Sequence, residues 1–244
     1  MLRPMKSERL GELEAVLFPS RSTETSHVVV LLHGFGAPGH DLCGIAHELR
    51  PEDGTAFVFP AAPHTFSDLY GAPPMVDARA WWKLDLERIE RARRTGGVRD
   101  LSREHPEGLD EARRAVVSLL DAISVRYPDA KLTIGGFSQG AMLACDVALR
   151  DPCAFAKLVL LSGTLLCEDE WTALFPRLAS NPLAAGTPVF QSHGTTDDVL
   201  PFSLAEKLRD GLRAAGVDVT FERFEAGHGI PEEVMESLAT WLRR

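Results

Sequence analysis

The residues best placed to do chemistry in this 244-residue chain centre on Gly136-Phe137-Ser138-Gln139-Gly140, a G-x-S-x-G pattern. A serine hydroxyl is a poor nucleophile until a base takes its proton. Only His193 and His228 follow Ser138. His228 stands between Gly227 and Gly229, in a loop from which an imidazole can reach over the end of a sheet. His193 runs directly into Gly194 and is expected to shape that turn. A carboxylate must hold the imidazole in the right tautomer, and the order serine, acid, histidine puts it between Ser138 and His228. The loop His193–Pro201 carries two neighbouring acids, Asp197 and Asp198. Spacing leaves both open, and the acid not bound to the histidine is free to cap the helix near Pro201.

Such a trio attacks an acyl carbonyl, and the resulting oxyanion needs two backbone N–H donors. One is expected from Gln139, directly after the nucleophile. The second is expected from His33-Gly34-Phe35-Gly36, whose glycines let the backbone turn inward. Phe35 N–H is the choice there, with Gly34 as its nearest rival. His33 is expected to orient that loop.

These groups need a scaffold that brings distant loops together. Short apolar runs at His27–Leu32, Thr55–Phe59, Lys131–Gly135, Lys157–Leu161, Thr187–Gln191 and Val217–Phe221 read as strands buried on both faces. Leu10–Leu17 adds an edge strand. Helical spacing appears from Leu109 to Ile123, from Leu204 to Leu212 and from Val234 to Leu242, and again in Ala141–Leu149. Strands alternating with helices imply a mainly parallel sheet covered on both faces. Lys131–Gly135 runs into the serine and Ala141–Leu149 runs out, which is the strand–turn–helix setting of a nucleophile elbow.

One stretch breaks the rhythm. Residues 61–105 hold Pro63, Pro73, Pro74, Gly96, Gly97, Trp81 and Trp82. A long irregular segment in a single α/β domain spanning 1–244 reads as an insertion or lid. Within it, Trp82–Arg94 suggests a short helix with Glu87–Arg91 and Glu90–Arg94 pairs, and Arg91, Arg93 and Arg94 form a solvated face. Trp81, Trp82 and Phe66 are candidates for the substrate pocket, with Leu69 and Tyr70 beside them.

Composition narrows the classes. The net charge of -9 argues against a nucleic-acid binder. Cys43, Cys145, Cys153 and Cys167 form no C-x-x-C pair and show no zinc-type Cys/His spacing, so reduced thiols and no metal are expected. No run approaches the ~20 apolar residues of a membrane span, and the first residues lack a signal-peptide core. A cytoplasmic location and no stable membrane insertion are the expectations. Oligomeric state is not readable.

Leu32–Gly36, Gly135–Gly140, His193–Asp197 with Val199-Leu200-Pro201, and Gly227-His228 together resemble the carboxylesterase, phospholipase and acyl-protein thioesterase family of the α/β-hydrolase fold. The resemblance implies Asp197 as the acid, at the fifth position of His-Gly-x-x-Asp. It implies Phe35 as an oxyanion donor whose ring helps line the acyl site. Pro60-Ala61-Ala62-Pro63 is similar to a further family segment. Where thioesterase relatives carry Trp-Phe-Asp, this chain reads Trp81-Trp82-Lys83-Leu84-Asp85, which implies a different pocket.

The expected function is a serine esterase cleaving small-molecule carboxylic esters through an acyl-enzyme, with Ser138 as nucleophile, His228 as base and no cofactor. Activity is expected to fall in acid, where the base is protonated. Thioester or lysophospholipid hydrolysis on the same trio is the alternative. A non-catalytic binding protein on the same fold is the rival class, and it would typically lack one of the three residues.

Overall fold

The Val-, Leu- and Phe-rich runs assemble into an eight-stranded sheet in the order β1-β2-β4-β3-β7-β8-β9-β10. The strands are β1 (Lys6–Leu10), β2 (Leu13–Phe18), β3 (His27–Leu32), β4 (Thr55–Pro60), β7 (Lys131–Phe137), β8 (Lys157–Leu161), β9 (Val189–Gly194) and β10 (Val219–Phe224). A short antiparallel pair, β5 (His64–Thr65) and β6 (Arg79–Ala80), lies apart. The structure, a computed structural model, describes residues 5–49, 52–73, 77–95, 100–151, 155–180 and 186–244. Pro74, Gly96, Gly97, Cys153 and the side chain of Arg93 lie outside the described residues.

From β4 to β10 neighbouring strands run parallel, and the β1–β2 hairpin joins antiparallel at one edge. The expected single strand at Leu10–Leu17 is therefore two, because Gly11 turns the chain with φ of 56°. A side chain there would strike the Ser118 backbone.

Alternate residues of the parallel strands face opposite layers, as strands covered on both sides require. Val28, Val30 and Leu32 join Ile134, Leu158 and Leu160 in one core. That core is closed by α4 (Leu109–Arg126), α5 (Gln139–Arg150), α6 (Glu168–Ala179) and α7 (Phe202–Ala214). Val29, Leu31, Phe57, Phe59 and Val159 face the other layer, under α1 (Ile45–Glu48) and α8 (Glu232–Leu242). Helix α6 carries no sequence expectation because Pro176, inside it, reads as a stop. Buried Trp171, Phe175 and Leu178 anchor it regardless.

Segment 61–105 contains β5, α2 (Phe66–Tyr70), β6 and α3 (Leu86–Thr95). The helix expected from Trp82 starts only at Leu86, since the Trp81 and Trp82 backbones are bonded elsewhere. Cys43, Cys145 and Cys167 are free thiols. Burial, with Asp41 nearby, pushes Cys43 up to about 11; burial, with Asp146, pushes Cys167 up to about 12. No helix among the described residues is long and apolar enough to cross a membrane.

Candidate active site

Sheet order reverses at β3: the chain goes outward to β4, then returns on the other side as β7. Loops at the carboxyl ends of strands flanking such a point leave a crevice. Leu32 pairs with Gly136 there, so the loop after β3 meets the turn after β7. Ser138 occupies that turn with φ 54° and ψ -118°, a left-sided conformation that costs a non-glycine residue about 1–3 kcal/mol. Its N–H donates to Leu161 O at 2.8 Å, and its C=O accepts from Ala141 and Met142 in the first turn of α5. Gly140 permits the tight passage, since a Cβ there would strike the Leu32 carbonyl. Ser138 is 8% exposed, and its side chain lines a cavity of about 640 Å³.

His228 lines the same cavity. Its Nδ1 is 2.6 Å from Asp197 Oδ2. The carboxylate only accepts, so Nδ1 carries the proton and Nε2 is left as an acceptor. Asp197 is fully buried at its side chain. Its Oδ1 accepts from Val199 N and Leu200 N, each at 2.8 Å. Burial works to raise its carboxyl, but hydrogen bonds from His193, His228 and Leu200 N–H outweigh that and hold it well below the ordinary carboxylate range. Asp198 is exposed, and α7 has no side-chain cap, which corrects the expectation of a capping acid. Residues 197, 199 and 200 form a closed turn instead.

Strands β9 and β10 run further toward the site than their apolar runs suggested, pairing Gly194 with Phe224. Thr195 N and Thr196 N then donate to Phe224 O and Ala226 O at 2.9 and 3.2 Å. A Cβ on Gly194 would strike the Ala226 and Gly227 carbonyls, so only glycine lets the acid loop approach the histidine loop. Ser162 Oγ donates to Gly229 O at 2.9 Å from the other side.

His193 is buried within the acid loop. Its Nε2 lies 2.9 Å from Leu200 O and 3.3 Å from Asp197 Oδ2. Both neighbours accept, so Nε2 carries the proton, and His193 helps set the loop. Spacing suggested the turn-shaping part but not a second donor to Asp197.

In the loop expected to hold the oxyanion, a Cβ on Gly34 would stand 3.4 Å from Ser138 Cβ. Gly36, with φ of 81°, donates to Arg79 O at 2.8 Å. Among the described residues the N–H groups of Gly34, Phe35 and Gln139 have no hydrogen-bond partner. All three are available, so pairing does not separate Phe35 from Gly34. His33 fixes the loop from behind: Nδ1–H meets Gly34 O at 2.8 Å, and Nε2 accepts from Ala62 N at 3.0 Å. Burial lowers its pKa, which keeps it neutral for this double role.

The three aromatic pocket candidates separate. Trp82 lines the cavity and also walls a second hollow that Leu69 and Tyr70 line. Trp81 does not line the cavity: it is buried, with Nε1 donating to His33 O at 2.9 Å. Phe66 stands one layer back, its ring 4.9 Å from that of Phe35. Phe35 itself does line the cavity.

Sequence reasoning missed the Gln139 side chain. Its Oε1 accepts from Trp81 N at 3.0 Å and its Nε2 donates to Trp82 O at 2.9 Å, all buried. The residue after the serine thus clamps the tryptophan segment to the elbow. The rest of the wall is apolar, with Leu84, Leu101, Met142, Leu166 and Leu200. Its polar members include Lys83, Arg88, Glu104 and His105.

A reversed-order parallel sheet, a strained serine turn and a buried carboxylate paired with a partly exposed imidazole define an α/β-hydrolase-fold serine hydrolase. A profile of the phospholipase/carboxylesterase family matches residues 14–244, and the chain belongs to that family. It is similar to "Acyl-protein thioesterase 1" of Eremothecium gossypii, 31% identical over 194 residues, covering 77% of this chain and 73% of that protein. The protein of the same name from Neurospora crassa is 27% identical over 239 residues, covering 96% and 92%. Among solved structures, esterase PE8 aligns with a TM-score of 0.74 at 27% identity, covering 99% of each chain.

Proposed function

We propose that the chain hydrolyses carboxylic esters of small molecules through an acyl-enzyme on Ser138. The observation that carries this reading is the 2.6 Å bond between His228 Nδ1 and Asp197, which leaves Nε2 free to take a proton. His228 Nε2 takes the Ser138 proton as Oγ attacks the carbonyl carbon. Asp197 stabilises the imidazolium. The Gln139 and Phe35 N–H groups receive the oxyanion. The imidazolium then protonates the leaving alcohol, and water, activated by His228, releases the acid. Trp82 and the apolar wall seat the acyl chain, and segment 61–105 acts as the selective cover. A cytoplasmic setting fits the free thiols.

Acyl-thioester hydrolysis is the second reading, favoured by the names of the fungal relatives. A panel of oxygen esters and thioesters of graded acyl length, with Ser138→Ala as control, separates the two. The expected result is ester turnover with a clear length optimum, lost by about 10⁴–10⁶ in kcat in the control. Thioesters preferred over matched esters by a hundredfold or more in kcat/KM would replace the first reading with the second.

A further inference from the structure

His105, on the loop before α4, lines the cavity and is exposed. Cys167 directly precedes α6, and Glu170 lies in its first turn. His105 Nδ1 is 3.7 Å from Cys167 Sγ and 3.3 Å from Glu170 Oε1. All three donor atoms lie within 4.8 Å of one another. Around a tetrahedral zinc ion, with Zn–S about 2.3 Å and Zn–N and Zn–O about 2.0–2.1 Å, sulfur and nitrogen stand roughly 3.5 Å apart and nitrogen and oxygen roughly 3.3 Å. Two of the three spacings already match a zinc coordination sphere.

The surroundings match as well. His105 Nε2 stands 3.5 Å from Asp110 Oδ1, an oxygen that Arg113 also holds at 2.6 Å. Arg150 holds Glu170 Oε2 at 2.7 Å, leaving Oε1 toward His105. Cys167 is 4% exposed, and its Sγ and N–H both reach Glu104 O, at 3.3 and 3.2 Å. That S–H donation holds the thiol beside the imidazole, and it is given up when the sulfur binds the ion as thiolate.

We propose that His105 Nδ1, Cys167 Sγ and Glu170 Oε1 bind one thiophilic divalent cation, zinc foremost, with a fourth position open to water at the cavity mouth. On binding, the Cys167 thiol gives its proton to solvent, and thiolate and carboxylate together balance the ion's two charges. The ion ties the 101–106 stretch of the cavity wall to the start of α6. It takes no part in acyl transfer, so the proposal stands apart from the role given to Ser138. The bland alternative is an ion-pair cluster of His105 with Asp110 and Glu170 that has no use for a metal.

The test is titration of the reduced, metal-free full chain with cobalt(II), followed by zinc displacement. One equivalent of cobalt is expected to give the visible bands of a tetrahedral site and a near-ultraviolet thiolate-to-cobalt band. Cys167→Ser should lose the near-ultraviolet band, and exposed His105→Gln should weaken cobalt binding at least tenfold. Ser138→Ala should bind cobalt like the parent. A zinc-dependent rise in Tm present in the parent and absent in His105→Gln guards against misfolding of the cysteine variant. Failure to bind cobalt, a thiolate band that survives Cys167→Ser or vanishes in Cys153→Ser instead, or His105→Gln binding within twofold of the parent would overturn the proposal.

Discussion

Ser138, Asp197 and His228 stand on loops held by hydrogen bonds that are at least partly shielded from solvent. Leu161 O fixes the serine turn, two N–H groups close the acid turn, and Ser162 Oγ fastens the histidine loop. Along another stretch of the same cavity, α3 contributes Leu86 and Arg88 from a helix whose described residues are all exposed. It is tied to the next wall by Arg88–Glu104 at 2.6 Å, with both partners more than a third exposed. Paired polar groups shielded from solvent fix one geometry, because losing a partner strands the other group away from water. Solvent-screened ion pairs are worth about 0–1 kcal/mol and fix little. The proposed reacting groups sit where geometry must hold to fractions of an ångström, and the proposed selecting wall sits where adjustment is cheap.

Substitutions should break that contrast in a graded order. Asp197→Asn should lower kcat by about 10⁴ by favouring the wrong imidazole tautomer. It should also change the pH dependence of stability. The folded Asp197 pKa lies below its unfolded value, so its stabilising contribution is complete above the ordinary carboxylate range and is lost as pH falls from there through the lower folded value. Urea melts across a pH series should show the parent's advantage over Asp197→Asn shrinking in acid.

Gln139→Leu comes next. It keeps the backbone N–H but strands Trp81 N and Trp82 O, at about 1–3 kcal/mol for each buried group left unpaired. Lower thermal stability and a KM that rises more than kcat falls are expected. Trp82→Ala should join the cavity to the hollow on its other side. The optimum acyl length should move to longer chains, with roughly tenfold changes in relative kcat/KM. Arg88→Ala is the smallest, within about 1 kcal/mol of stability, with kcat/KM on the best ester little changed. A large loss there would show that the outer wall is as fixed as the triad loops.

The same contrast explains what the sequence made readable. Ser138 with its glycines carries a local signal, because a strained turn needs particular residue types within a few positions, and His228 was legible from its place after the acid loop, between two glycines. Short apolar runs in β3 and β7 exposed the sheet. The Gln139 clamp reaches 58 residues back to Trp81, and nothing local marks its side chain. Trp81 and Trp82 are adjacent and identical in type, yet one holds a carbonyl and the other lines the cavity; only tertiary contacts separate them. Helix α6 was hidden by Pro176, and its stability comes from Trp171 and Phe175 packed in the core. His105 and Cys167 lie 62 residues apart, so no motif spacing joins them.

The central claim is that Ser138 is an activated nucleophile with His228 as its base. A fluorophosphonate probe measures this directly, since an activated serine displaces its fluoride quickly and becomes a stable phosphonyl ester. Intact-mass and peptide analysis should show one adduct, on Ser138, forming rapidly in the parent, far more slowly in His228→Ala and not at all in Ser138→Ala. An unlabelled parent, or an adduct that persists in Ser138→Ala, would contradict the account.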